Sequence, residues 1–307
     1  NRYSSPVVSG THFIGNFAMF GGGIADNNSD PVLTATTFIS NTAARRGGGV
    51  YGFESDATLT DCEFTRNAAW SDSPLHDPCG GGIYSRYSDL TLNRVVFSSN
   101  TATSDGGGMY NERSSPTLTN VTFSSNGAHG GDGGGMHNYP SSFPILTNVT
   151  FISNTAAMDG GGMVNGFVSE AQLNNVTFVS NTADRHGGGM YNELSSPKLT
   201  NVNFSGNAAT SDGGGMHNSE NSSPELTDCT FSGNDAHSGG GMFNWNSNPE
   251  LSDVTFGHNA AHLGGGMYNY LQSEPVLVQS IFVSNTATLG GGMTNDTSSP
   301  TLSDVTF

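Results

Sequence analysis

The 307 residues carry nine Lys plus Arg against 26 Asp plus Glu, a formal charge of −17, with 43 glycines and only 11% charged residues. A surface this acidic repels phosphate backbones and anionic lipid, which argues against a nucleic-acid partner, and no apolar run approaches the roughly 20 residues that span a bilayer. Three cysteines, Cys62, Cys79 and Cys229, are too few for the disulfide framework of a small secreted domain, so stability has to come from packing.

Glycine, serine, threonine and asparagine suggest low complexity until the apolar residues are placed in register. Gly-Gly-Gly recurs at 21–23, 47–49, 80–82, 106–108, 133–135, 160–162, 187–189, 213–215, 239–241, 264–266 and 290–292, at intervals of 25 to 27 residues apart from one of 33. Phe-x-x-Asn recurs in phase with it, from Phe13/Asn16 through Phe123/Asn126 to Phe282/Asn285. Two markers locked in phase mean one structural unit, copied.

In chain order, a unit begins with Leu118 and alternates through Val121 and Phe123, the period of a strand with one face buried. Asn126 marks a bend, a short polar connection follows, and Gly133-Gly-Gly leads into a second strand at Met136. No stretch keeps helical spacing. A 26-residue unit with two or three short strands cannot bury its own apolar face, but stacked copies bury one another at about 4.8 Å per coil. The expected fold is therefore all-β: a single-stranded right-handed parallel β-helix of about 11 coils of 25–27 residues, one continuous domain over 1–307, about 50 Å long.

Stacking aligns equivalent residues. Phe38, Phe64, Phe97 and their successors to Phe282 are expected to form an interior aromatic column. Met109 to Met293 form another, continuing Ile24, Val50 and Ile83, and here methionine is adaptable filler rather than a soft-metal ligand. The Asn of each Phe-x-x-Asn is expected to hydrogen-bond to the backbone and to its counterpart one coil away. The triple glycine permits positive φ and close backbone approach; no Gly-Lys-Ser/Thr or helix follows, as a phosphate-cradling loop would need. Cys62 and Cys229 stand where valine usually does and read as buried thiols, and a bond from Cys62 to Cys79 is conceivable within the enlarged coil.

Three features are candidate sites. The residue between Met and Asn is expected to point outward, giving a stripe of rings at Tyr51, Tyr84, Tyr110, His137, Tyr191, His217, Phe243 and Tyr268. Such rings either stack on one another or offer flat surfaces to a sugar or a partner protein. The enlarged coil carries a loop at 68–79 with Trp70, Asp72, His76 and Asp77, either a plain protrusion or a small binding site. Asp105, Asp132, Asp159 and Asp212 lie near triple glycines as solvated turn residues or weak calcium candidates. No other cofactor is indicated.

The paired Phe-x-x-Asn and Gly-Gly-x-[Ile/Leu/Val/Met] markers resemble the repeats of the polymorphic outer membrane proteins, autotransported adhesins of chlamydiae, and of the wider class of bacterial right-handed parallel β-helix surface proteins. The likeness covers essentially the whole chain, with Gly-Gly-Gly-Met where the chlamydial type has Gly-Gly-Ala-Ile. It implies the fold, an extracellular or cell-surface location and, less directly, adhesion. The chain starts without Met and stops inside a repeat, so it is expected to be a segment of something longer.

The function expected from these features is a non-catalytic extracellular rod, structural or adhesive, whose partner is a glycan or a host or neighbour-cell surface protein. An alternative is a filament or surface layer built from copies stacked end to end. A polysaccharide lyase or hydrolase is disfavoured because catalytic constellations break repeat symmetry, whereas the acidic residues mostly repeat and Arg45, Arg46, Arg94, Arg113 and Arg185 are scattered. Ice binding is more remote, since the threonine columns through Thr119 and Thr122 are interrupted by Asn93, Asn174, Glu63, Val96 and Asn203.

Overall fold

The computed structural model describes residues 1–71 and 77–307. Each full coil contributes one short strand to each of four parallel sheets, one of 12 strands and three of 11, and every strand but the first and last of each sheet pairs with its counterparts in the coils on either side. In the coil around Phe123 these strands are Thr117–Thr119, Thr122–Ser124, Gly127–Ala128 and Met136–Asn138, which we call the Leu, Phe, Ala and Met sheets after their inward residues. In this coil equivalent residues pair without slippage: Leu118 with Leu146, Phe123 with Phe151, Ala128 with Ala156 and Met136 with Met163. No helix occurs among the described residues.

The coil has four strands rather than two or three because the run from Leu118 to Ser124 is broken at Asn120, whose φ is 55°. The left-handed conformation turns the chain through a corner, and short polar side chains such as asparagine tolerate it best.

The phenylalanine column runs from Phe13 to Phe307 with ring centroids 4.6–5.0 Å apart and planes within 13° of parallel. Met109 through Met267 are buried beside it. At each Phe-x-x-Asn bend the amide bridges three coils. Asn154 Nδ2–H donates to Asn181 Oδ1 at 2.9 Å and to the Phe123 carbonyl at 3.0 Å, while its own Oδ1 accepts from Asn126. A second asparagine ladder, Asn111 to Asn138 to Asn165, follows the Met column, and a serine ladder runs through Ser88, Ser114 and Ser142.

At 133–135 the three glycines serve different purposes. Gly133 has φ +68°; a Cβ on Gly134 would lie 2.3 Å from the Thr155 carbonyl oxygen; a Cβ on Gly135 would lie 2.8 Å from the Phe151 ring. All three cysteines are free and buried. The conceivable Cys62 to Cys79 bond is absent because the thiols occupy different cores. Cys62 lies within the coil and donates to the Leu33 carbonyl, whereas Cys79 packs outside the Met sheet against Tyr84 and Tyr110.

Candidate functional site

Along the Met sheet, alternation sends Met109 inward, Tyr110 outward and Asn111 inward. The outward residues form one column in which successive rings touch. Tyr51 to Tyr84, Tyr84 to Tyr110 and Tyr110 to His137 have centroids 5.6, 5.3 and 5.0 Å apart. Val164 interrupts the column, and Tyr191, His217, Phe243 and Tyr268 resume it at 5.2, 4.8 and 5.3 Å.

The expectation that these rings form an exposed stripe is corrected by their burial. Tyr84 is 1% exposed, Tyr110 9% and His217 2%; His137, Phe243 and Tyr268 are likewise buried, and only Tyr51 and Tyr191 are half-buried. The cover comes from the residue just before each triple glycine. Arg46 lies over the Tyr84 ring at 4.7 Å, Cys79 packs on Tyr84 and Tyr110, and the His186 ring stands 4.8 Å from His217. Glu112 closes the edge, accepting from the Tyr84 hydroxyl and pairing with Arg86 at 3.1 Å. The stripe is thus a second, outer core.

The aspartates belong to that covering column and act as turn caps. Asp105 accepts the Asp132 N–H at 2.8 Å, Asp132 that of Asp159 at 2.9 Å, and Asp159 that of His186 at 3.0 Å. Burial pushes the carboxyls of Asp105 and Asp159 above their ordinary range. The four calcium candidates are not gathered into one oxygen cage of the kind calcium takes: Asp105 and Asp132 lie with His137, Asp212 lies with His186 and His217, and Asp159 joins neither group. In the enlarged coil Trp70 is 53% exposed and Asp77 lies with Cys79 and Asp105. Asp72 and His76 fall outside the described residues.

Among the described residues the outer core opens onto a groove. A groove of about 230 Å³ is lined by Arg185, His186, Tyr191, Asp212, His217, Phe243, Trp245 and Tyr270. Trp245 and Tyr270 are direct partners on adjacent strands, two residues beyond the buried ring column, and Trp245 is 40% exposed. His186 replaces aspartate in the covering column and bridges to Asp212, which bridges to Ser238. His186 Nδ1 lies 3.3 Å from Asp212 Oδ2. Burial, reinforced by His186, pushes His217 down to about 3, so its imidazole is neutral. Burial pushes Asp212 up, but its hydrogen bond to His186 and the polar groups around it outweigh that, leaving the carboxyl below its usual range.

Tyr191, His217 and Phe243 of the stripe therefore meet in the groove together with Asp212. Tyr51, Tyr84, Tyr110, His137 and Trp70 lie elsewhere. Trp245, Tyr270 and His186 were not among the residues singled out from sequence, and Arg185 counted there only as a scattered base. The signals existed: His186 breaks the aspartate column, and Trp245 and Tyr270 follow the stripe by two residues, which places them on the same face of the strand.

Comparison with known proteins supports the fold. The family model described as the right-handed β-helix region matches residues 70–209. The crystal structure of the periplasmic alginate epimerase AlgG superposes with a TM-score of 0.50 over 92% of this chain and 77% of that one, at 12% identity. No curated protein matches. The chain is an all-β, right-handed parallel β-solenoid of about 11 turns.

Proposed function

We propose that this chain is the rigid rod of an extracellular surface protein and that it binds a neutral saccharide, without turning it over, in the groove lined by Trp245 and Tyr270. The observation that carries this reading is the pair itself. Rings at partnered positions on adjacent strands offer two adjoining apolar surfaces to a sugar chain, and Asp212, Arg185 and the Tyr191 hydroxyl provide polar groups beside them. A formal charge of −17 works against a polyanionic chain. The likeness to an epimerase is one of fold, which hosts many activities. An adhesive role, as in the polymorphic outer membrane proteins, follows if the saccharide belongs to another cell.

One observation favours a second reading, acid–base chemistry on a polysaccharide: His186, Tyr191, Asp212 and His217 share the groove. A glycan array probed with the wild-type rod and with Trp245→Ala, followed by product analysis of every bound saccharide, separates the two. Retention of neutral saccharides that is lost in the variant, with no product formed, supports binding. New ends, double bonds or changed stereochemistry support the enzyme. An array on which both proteins behave alike sinks the groove as the recognition site.

A further inference from the structure

We infer that His186, Asp212 and His217 hold a divalent first-row transition-metal ion at the inner end of the groove. Each offers one ligand atom, and these atoms lie within 4.8 Å of one another. A tetrahedral ion with bonds of about 2.0–2.1 Å separates its ligands by about 3.3 Å. His186 Nδ1 and Asp212 Oδ2 already stand at 3.3 Å, and a turn of the His217 ring brings in the third ligand.

The independent observation is an unmet polar atom. The Nδ1 atom of His217 is buried without a hydrogen-bond partner, and His217 as a whole is 2% exposed; His186 Nδ1 has the Asp212 carboxylate beside it. Leaving a buried polar nitrogen unpaired is costly, and a cation held by the three side chains satisfies it. Packing alone does not ask for these residues. In neighbouring coils the His217 position is filled by Tyr191 and Phe243, and the His186 position by Asp159 and Asp212, with Ser238 one coil further on.

The donor set names the class of ion. Two imidazoles and one carboxylate suit zinc, cobalt, nickel or copper, whereas calcium and magnesium seek oxygen cages. Three protein ligands leave a fourth position open toward the groove, where water or a sugar hydroxyl coordinates. The inference does not rest on the saccharide reading, because metal binding is measured without any sugar.

The test is equilibrium dialysis of the untagged rod against Zn²⁺, with thermal melting in its presence, for wild type, His217→Phe and His186→Ser. Both substitutions install residues that the repeat carries at the same position within two coils, Phe243 and Ser238, so the fold is kept, and circular dichroism verifies this. The exposed His237 and His262 rings, stacked at 5.2 Å, are the obvious rival site, so His262→Ala is the reference. The expected result is a zinc site that raises the melting temperature and is weakened in both variants by at least the about 10–100-fold that losing a ligand's supporting hydrogen bond costs, with His262→Ala unchanged. The inference is overturned by absence of zinc binding in the wild type, by binding that survives both groove substitutions, or by binding that disappears with His262.

Discussion

The side chain of Asn154 ties three coils together: it donates to Asn181 above and to the Phe123 carbonyl below, and accepts the backbone and side-chain N–H of Asn126 on one oxygen. Truncation to alanine leaves the Asn126 backbone N–H and one of its two side-chain N–H groups buried without an acceptor, the other still donating to the Phe97 carbonyl. We predict that Asn154→Ala costs about 2–6 kcal/mol, at about 1–3 kcal/mol for each of the two stranded groups, read from denaturant unfolding. A loss under 1 kcal/mol would show that water replaces the amide.

Burial of the ring column decides what its members do when removed. Tyr84→Ala is expected to lose about 3–4 kcal/mol of stability, the usual cost of emptying a buried aromatic site. Trp245→Ala, on the open side of the same sheet, is expected to change stability by less than about 1 kcal/mol. Parallel melts of the two variants check this, and equal effects would mean that the covering column does not seal the rings.

Glycines that look alike in sequence differ in tolerance. Gly134→Ala places a methyl 2.3 Å from the Thr155 carbonyl and 2.5 Å from that of Gly161, both rigid backbone atoms, and should cost about 3 kcal/mol or more. Gly233, at φ +63° with nothing within 4 Å, suffers only the strain of a left-handed alanine, about 1–2 kcal/mol. Comparable losses at the two positions would argue against close coil contact.

Burial pushes the Cys229 thiol up to about 11 from an ordinary 9. Because the folded value is raised, the stability it contributes is whole below pH 9 and is lost as pH climbs from 9 through 11, by up to about 2–3 kcal/mol. Cys229→Val, which installs the residue typical of that position, is expected to gain on wild type over that window and not at pH 7. Melting both proteins at pH 7 and pH 10.5 checks it; a constant difference refutes the shift. In native protein all three buried thiols should also resist alkylation until the rod unfolds.

How far the sequence leads depends on whether a residue's neighbours are copies of itself. Phe123, Met136 and Asn126 have like residues above and below, so periodicity alone places them in core columns and a ladder. Ser114 belongs to an equally regular ladder, but serine is ordinary on turns and nothing in the sequence marks it as buried. For Tyr84, alternation correctly gives the outward direction; what covers an outward ring is a residue from the far side of a polar connection, Arg46 or Cys79, and strand periodicity carries no information about that contact. His186 was legible as a departure from the aspartate column, yet its meaning requires His217, 31 positions away in sequence and one coil away in space.

The most direct measurement is hydroxyl-radical footprinting of the native rod, alone and with the best saccharide from the array, read ring by ring by mass spectrometry. Trp70, Trp245 and Tyr270 should be oxidised in the free protein while Tyr84, Tyr110 and the buried phenylalanines from Phe38 to Phe282 stay unmodified, and the saccharide should protect Trp245 and Tyr270 alone. Oxidation of Tyr84 and Tyr110 as strong as that of Trp245, or protection that falls on Trp70 instead, would contradict a sealed ring column with recognition confined to the groove.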